Sequence, residues 1–332
     1  THTVALIGSS SRLSASKGTS VHYSPGMRAR LGRPDIADYT DRFVLGLARG
    51  ALSVTFLGVS TLLLSDGVSA VMTDGFFSRP PLLAVGIGRI APDVERIDAA
   101  LSRAGVTSLA AVVPVHSHFD HAMDCAVVAQ RTGALLVGGS STVQVGRGSA
   151  LPADRIREVA DGDSVTLGAW TLRFTASQHC PPDRFPGVIT APVVPPVRAR
   201  AYKCGDAWSI HATHTSGRTA LLQGSAGYVG GALAGQHAEV AYLGIGQLGV
   251  QDESYVEEYW EHTVRAVGAR TVVLTHWDDF FRGLHAPLRA LPYLGDDLHA
   301  TMRIIDRLAA TDGVRVSFPR VFEREDPWDC LP

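Results

Sequence analysis

The chain has 332 residues, 45% of them hydrophobic and 19% charged, which is enough apolar material for one large core or two small ones. A formal net charge of −2 offers no basic surface for nucleic acid or for an anionic membrane, and no apolar run reaches the roughly 18–20 residues of a membrane-spanning helix. Four cysteines leave the compartment open, because free thiols in the cytosol and one disulfide in an exported protein fit equally.

The first residue is Thr1 rather than Met, so a removed leader would be invisible and the localisation is unknown. Residues 1–50 are read as an N-terminal arm, the first forty or so rich in Ser, Gly, Arg and Pro without periodicity. Such an arm packs on its own domain or on a second copy of the chain, which is compatible with a homo-oligomer. The domain proper is expected over 51–332. Ser53 to Ser65 reads as one strand, Asp66-Gly67 as a turn, and Val68 to Thr73 as the returning strand, ending at Asp74-Gly75. Phe76, Phe77 and Arg79 follow in a loop expected to wall a pocket. Val94, Ile97, Leu101 and Ala104 share a helical face.

A run of small and β-branched residues, Ala110 to Val115, then stops at H-S-H-F-D-H. His116, His118, Asp120 and His121 fall within six residues at the end of a buried strand. Histidines two apart at a strand end point the same way, and Asp120 and His121 turn toward a second position as a helix begins. Imidazole suits zinc, and a neighbouring carboxylate can take a second metal or hold a water. A solvated polar loop is the bland alternative.

Ala122 to Thr132 reads as a helix closed by Gly133, followed by short strands at 134–138 and 155–159. Strand-like pieces around Gly168 lead to Ser177-Gln178-His179. Residues 181–198 hold six prolines and few charges, and are read as a lid or pocket rim. Cys180 and Cys204 bracket this stretch and are the candidate disulfide pair. Strands are expected at 207–211, 219–223, 238–246, 271–275 and 314–318, with helices at 254–267 and 297–308. The strand at 271–275 delivers His276-Trp277-Asp278-Asp279. Tyr228 is a candidate donor to a developing oxyanion, and Phe76, Phe77, Trp277, Phe280 and Phe281 suggest an aromatic pocket for a small organic molecule. Each of these is otherwise a simple packing residue.

The pattern H-x-H-x-D-H resembles the signature of the metallo-β-lactamase superfamily, and the similar pieces arrive in that family's order from about Leu52 to about Phe318. The chain is similar to its lactonase-like and phospholipase-D-like branch. The resemblance implies an α/β fold, a four-layer αβ/βα sandwich. It implies a first metal held by His116, His118 and His179 and a second by Asp120, His121 and His276. Asp74 falls where the family keeps an acidic residue that holds a ligand histidine. The position that usually supplies a bridging aspartate is Ser225 here. Either the second metal is weak, leaving one ion with Asp120 as general base, or two ions form a centre attractive to an anionic substrate. Asp278 is a candidate to replace the missing carboxylate. Zinc is expected, one ion or two, although manganese and iron are also compatible with these donors. Di-iron oxidoreductases of this fold typically show a glutamate where this chain has His118, which favours hydrolysis.

The implied activity is attack of zinc-bound hydroxide on a lactone, ester or amide carbonyl of a small organic substrate, anionic in the two-ion case. A phosphodiesterase of the same fold and a non-catalytic scaffold are the alternatives. No partner nucleic acid is expected.

Overall fold

Fifteen strands lie in two sheets among residues 30–329, the part of the chain that the computed structural model describes. The first sheet runs 46–47, 324–326, 53–56, 62–65, 70–73, 111–113, 135–138 and 156–158 in spatial order. The second runs 315–317, 271–275, 240–244, 219–223, 207–214, 170–177 and 164–167. Each sheet is antiparallel on one side and parallel on the other.

Side-chain alternation explains the layering. Leu62, Leu64, Val71, Ala111 and Val113 point into the space between the sheets, where they meet Trp170, Leu172, Phe174, Ile210, Leu222 and Tyr242. The alternate residues Leu63, Met72 and Val112 point outward and are covered by Ile97, Leu101 and Val128. On the far face of the second sheet, Leu221, Ala241, Val272 and Leu274 are covered by Val256, Trp260, Ile305 and Leu308. The covering helices include Val94–Arg103 and Cys125–Thr132 on one side and Glu253–Trp260 and Leu298–Asp312 on the other. The architecture is therefore a four-layer αβ/βα sandwich with three hydrophobic layers.

Several local expectations change. Ser53 to Ser65 is two strands, Ser53–Phe56 and Leu62–Ser65, because Gly58 (φ +94°) and Val59 (φ 54°) turn the chain back on itself. The helices Leu82–Ile87 and Ser140–Gly148 had no clear signal in their short, small-residue-rich stretches. Residues 31–50, read as arm, belong to the body: Gly46–Leu47 pairs with Arg324–Asp326, and Arg320 donates to the carbonyls of Phe43 and Leu45. The rest of the expected arm, and Cys330, lie outside the described residues. No helix among the described residues is long and apolar enough to cross a membrane.

Candidate metal centre

Strands of both sheets end at the same edge of the sandwich, and the chemistry-bearing residues sit just past those ends. Asp74 follows 70–73, the histidine motif follows 111–113, His179 follows 170–177, Ser225 follows 219–223 and His276 follows 271–275. Both sheets contribute.

Two groups of donors result. In His116, His118 and His179, and again in Asp120, His121 and His276, one ligand atom per residue lies within 4.8 Å of the others. His116 Nε2 is 3.0 Å from His118 Nδ1, and His121 Nε2 is 3.3 Å from His276 Nε2. Asp120 Oδ2 lies 3.5 Å from His276 Nε2 and 3.7 Å from His121 Nε2. A single-turn helix, Phe119–Ala122, divides the motif so that His118 stays with the first group while Asp120 and His121 turn to the second.

Three of the outer ring nitrogens are anchored, whereas His116 Nδ1 and His276 Nδ1 are buried without a hydrogen-bond partner. His121 Nδ1 is 2.8 Å from Asp74 Oδ2, and Asp74 Oδ1 accepts from the Val115 amide at 2.9 Å. Both residues are fully buried. His179 Nδ1 is 2.6 Å from the Cys180 carbonyl. His118 Nε2 is 3.1 Å from Asp183 Oδ1. The inner nitrogens of His118, His121 and His179 are thus free to act as lone-pair donors.

The electrostatics suit cations. Burial, and then the crowd of neighbouring imidazoles, pushes His116 well below its ordinary pKa. Burial, then His118, pushes His179 down to about 4, so both are neutral lone-pair donors at pH 7. Burial disfavours the Asp120 carboxylate, but His121 and His276 outweigh it and hold Asp120 below the ordinary carboxylate range. Burial also disfavours a charged His276, but its bond to Asp120 wins and raises it. Imidazole nitrogens facing one another at about 3 Å, with an ionised carboxylate beside them, form a donor set that fits metal ions.

No known protein family matches the sequence, and neither does any curated protein. Solved structures do match. A protein described as a possible metal-dependent hydrolase from Veillonella parvula is 14% identical, with 83% of this chain and 99% of that chain covered and a TM-score of 0.52. One from Parabacteroides distasonis, with the same provisional description, is 11% identical over 84% of this chain and 99% of that chain, with a TM-score of 0.50. CmlA, a diiron β-hydroxylase from Streptomyces venezuelae, is 11% identical over 84% of this chain and 55% of that chain, with a TM-score of 0.50. This chain has the metallo-β-lactamase fold.

Within the metallo-β-lactamase fold, the six candidate ligand residues converge as two triads and Asp74 holds the His121 ring. Other expected residues stand elsewhere. Asp278 is not a replacement ligand: it is fully buried against Arg79, with Oδ2 2.7 Å from Arg79 Nη2, and its Oδ1 accepts from the Val59 amide at 2.8 Å. Ser225 faces the loop, where its Oγ accepts from the Cys180 amide at 3.1 Å and so steadies the segment carrying His179. The Tyr228 hydroxyl donates to Glu258, and its ring stacks on His262 at 5.2 Å, so it is aimed at a covering helix rather than at the triads. Phe76, Phe77 and Trp277 are buried in the core, and Phe77 lines a cavity it shares with Arg96, Arg103, Leu284 and Phe322 rather than with the triads. Phe76 packs edge-on against Phe119, and Trp277 against Phe318 at 5.4 Å. Cys180 and Cys204 are free thiols: Cys180 packs under the second sheet with Leu221 and Ala226, whereas Cys204 lies beside Asp183 and His118.

The rings that border the triads are Phe185, 6.2 Å from His118, and Phe280, 5.7 Å from His276. Asp183 and Phe185 carried no signal beyond lying shortly after His179 in the proline-rich loop. The Arg79–Asp278 pair was invisible because its members are 199 residues apart, 278 less 79.

Proposed function

We propose that this protein is a metal-dependent hydrolase of small organic substrates, with two cation positions and a lactone, ester or amide carbonyl as the target. The observation that supports this reading best is the pair of facing donor triads at the strand ends. His116, His118 and His179 would hold one ion, and Asp120, His121 and His276 the other. Such ions supply a water acidified toward neutral pH and a Lewis acid for the carbonyl oxygen. Zinc suits a set of five imidazoles and one carboxylate.

The residues of the chain do the rest. Asp120, held ionised, is the proton acceptor beside both triads. Asp74 fixes the His121 ring, while Phe185 and Phe280 provide apolar walls and exclude water from the scissile group. With one carboxylate in the two triads, a doubly loaded centre is strongly positive, which favours a substrate carrying or releasing a carboxylate.

The test is elemental analysis of protein purified without added metal, followed by assay against lactone, ester, amide and phosphodiester panels. Two zinc ions per chain with chelator-sensitive lactone or ester cleavage is the expected result. Preferential phosphodiester cleavage would move the reading to a phosphodiesterase. Bound iron with oxygen-dependent chemistry would align the chain with CmlA instead. Absence of stoichiometric metal would leave a scaffold.

A further inference from the structure

We propose that Asp183 is the positioning residue for His118, so that the first cation position is complete only when the proline-rich loop is seated. The inference rests on the two-cation reading. The His118 ring presents its nitrogens in two directions. Nδ1 lies 3.0 Å from His116 Nε2, inside the first triad. Nε2 lies 3.1 Å from Asp183 Oδ1 and 3.3 Å from the Phe185 carbonyl. A ligating imidazole is oriented by what its other nitrogen donates to, and a carboxylate both fixes the tautomer and makes the ring a better donor.

The loop is tied to the histidine motif at several points. Asp183 Oδ1 accepts from the Phe185 amide at 2.9 Å. The Phe185 carbonyl accepts from the Cys204 amide at 2.9 Å, and the Cys204 carbonyl accepts from the Ser117 amide at 2.8 Å. The Cys204 thiol lies in the same group, within 4.8 Å of the Asp183 and His118 ligand atoms. The path therefore runs from the motif to the loop and back again.

The two cation positions differ in what holds them. Asp74, which anchors His121, has no exposed side-chain surface and belongs to a strand end. Asp183 is 24% exposed and sits on a loop that also carries Phe185, a wall of the substrate space. A ligand that displaces Phe185 carries Asp183 with it and loosens the first cation but not the second.

The test compares wild type, Asp183→Asn, Asp183→Glu and Asp74→Asn. Cadmium NMR resolves the two positions, and Kd comes from competition with a chromophoric chelator. Unfolding of the metal-free proteins is followed in parallel. Asp183→Asn is expected to raise Kd at the first position about 10–100-fold with the second unchanged, and Asp74→Asn to give the opposite pattern. Asp183→Glu, which keeps a carboxylate on the loop, should recover part of the affinity. Equal weakening of both positions, or a first-position Kd within about twofold of wild type in Asp183→Asn, would overturn the proposal. So would loss of metal-free stability in Asp183→Asn without recovery of affinity in Asp183→Glu. A wild type that takes both cations but cleaves no substrate would sink the hydrolase reading and leave the role of Asp183 standing.

Discussion

Replacing Arg79 by methionine keeps most of the volume of a fully buried side chain and removes its charge. Asp278, equally buried, then loses the guanidinium 2.7 Å from its Oδ2 and keeps only the Val59 amide at 2.8 Å. Both atoms of the 2.7 Å contact count among the buried polar atoms without an aligned hydrogen bond, so charge attraction rather than hydrogen-bond geometry holds the pair. Breaking one side of a buried ion pair costs about 3–5 kcal/mol, because the remaining charge is stranded. At 2–4 °C per kcal/mol for a large domain, the melting temperature should fall by roughly 10 °C. The damage should also reach the second cation position. Val59 accepts from the His276 amide at 2.6 Å, and Val59 and His276 both hold left-handed backbone (φ 54° and 58°) that needs such support. Urea unfolding of the metal-free protein and metal titration would measure the two effects. The double variant Arg79→Met/Asp278→Leu should regain only part of the stability, since the Val59 amide is left without its acceptor at about 1–3 kcal/mol. A loss below about 1 kcal/mol in the single variant, or unchanged affinity at the second position, would refute the reasoning.

Other outcomes follow from neighbouring features. Gly58→Ala should destabilise the same region, since a Cβ there would stand 2.0 Å from Arg79 Nη2 at a φ of +94°; wild-type-like melting would contradict this. Tyr228→Phe should leave turnover unchanged and cost no more than about 1.5 kcal/mol, because the hydroxyl serves an exposed bond to Glu258; a large fall in kcat would restore it to the active site. Ser225→Ala strands the Cys180 amide and should cost about 1–3 kcal/mol, with weakened metal at His179 seen by elemental analysis; intact metal content and stability would count against it. Burial pushes the Asp296 carboxyl up to about 6, so it binds its proton more tightly folded than unfolded. The stability advantage of wild type over Asp296→Asn should therefore shrink by up to about 3 kcal/mol as pH rises from about 4 to about 6 and then level off; an advantage that grows with pH would refute this.

What could be read in the sequence was whatever depends on neighbours along the chain. The alternation of Leu62 to Leu64 and the strand ends before His116, His179 and His276 carry both the sandwich and the two triads. Asp74 was legible only because a hairpin ends there. The sequence does not tell whether Phe76, Phe77 and Trp277 face a cavity or a second layer of side chains, because an aromatic ring beside a metal motif looks the same in both. Tyr228 follows Ser225 closely, but the chain passes under the second sheet before reaching it. Arg79–Asp278 and Asp183–His118 join distant segments, and no periodicity announces such pairs.

His116, His118, Asp120 and His121 come from the first sheet, and His179 and His276 from the second. Ions bound across that seam would act as rivets between the halves of the sandwich. Their release would then shorten the lifetime of the folded chain as well as end its chemistry. A chelator would then lower stability as well as remove the chemistry, while the hydrophobic layer keeps the sheets together, and resistance to proteolysis would rise with free metal.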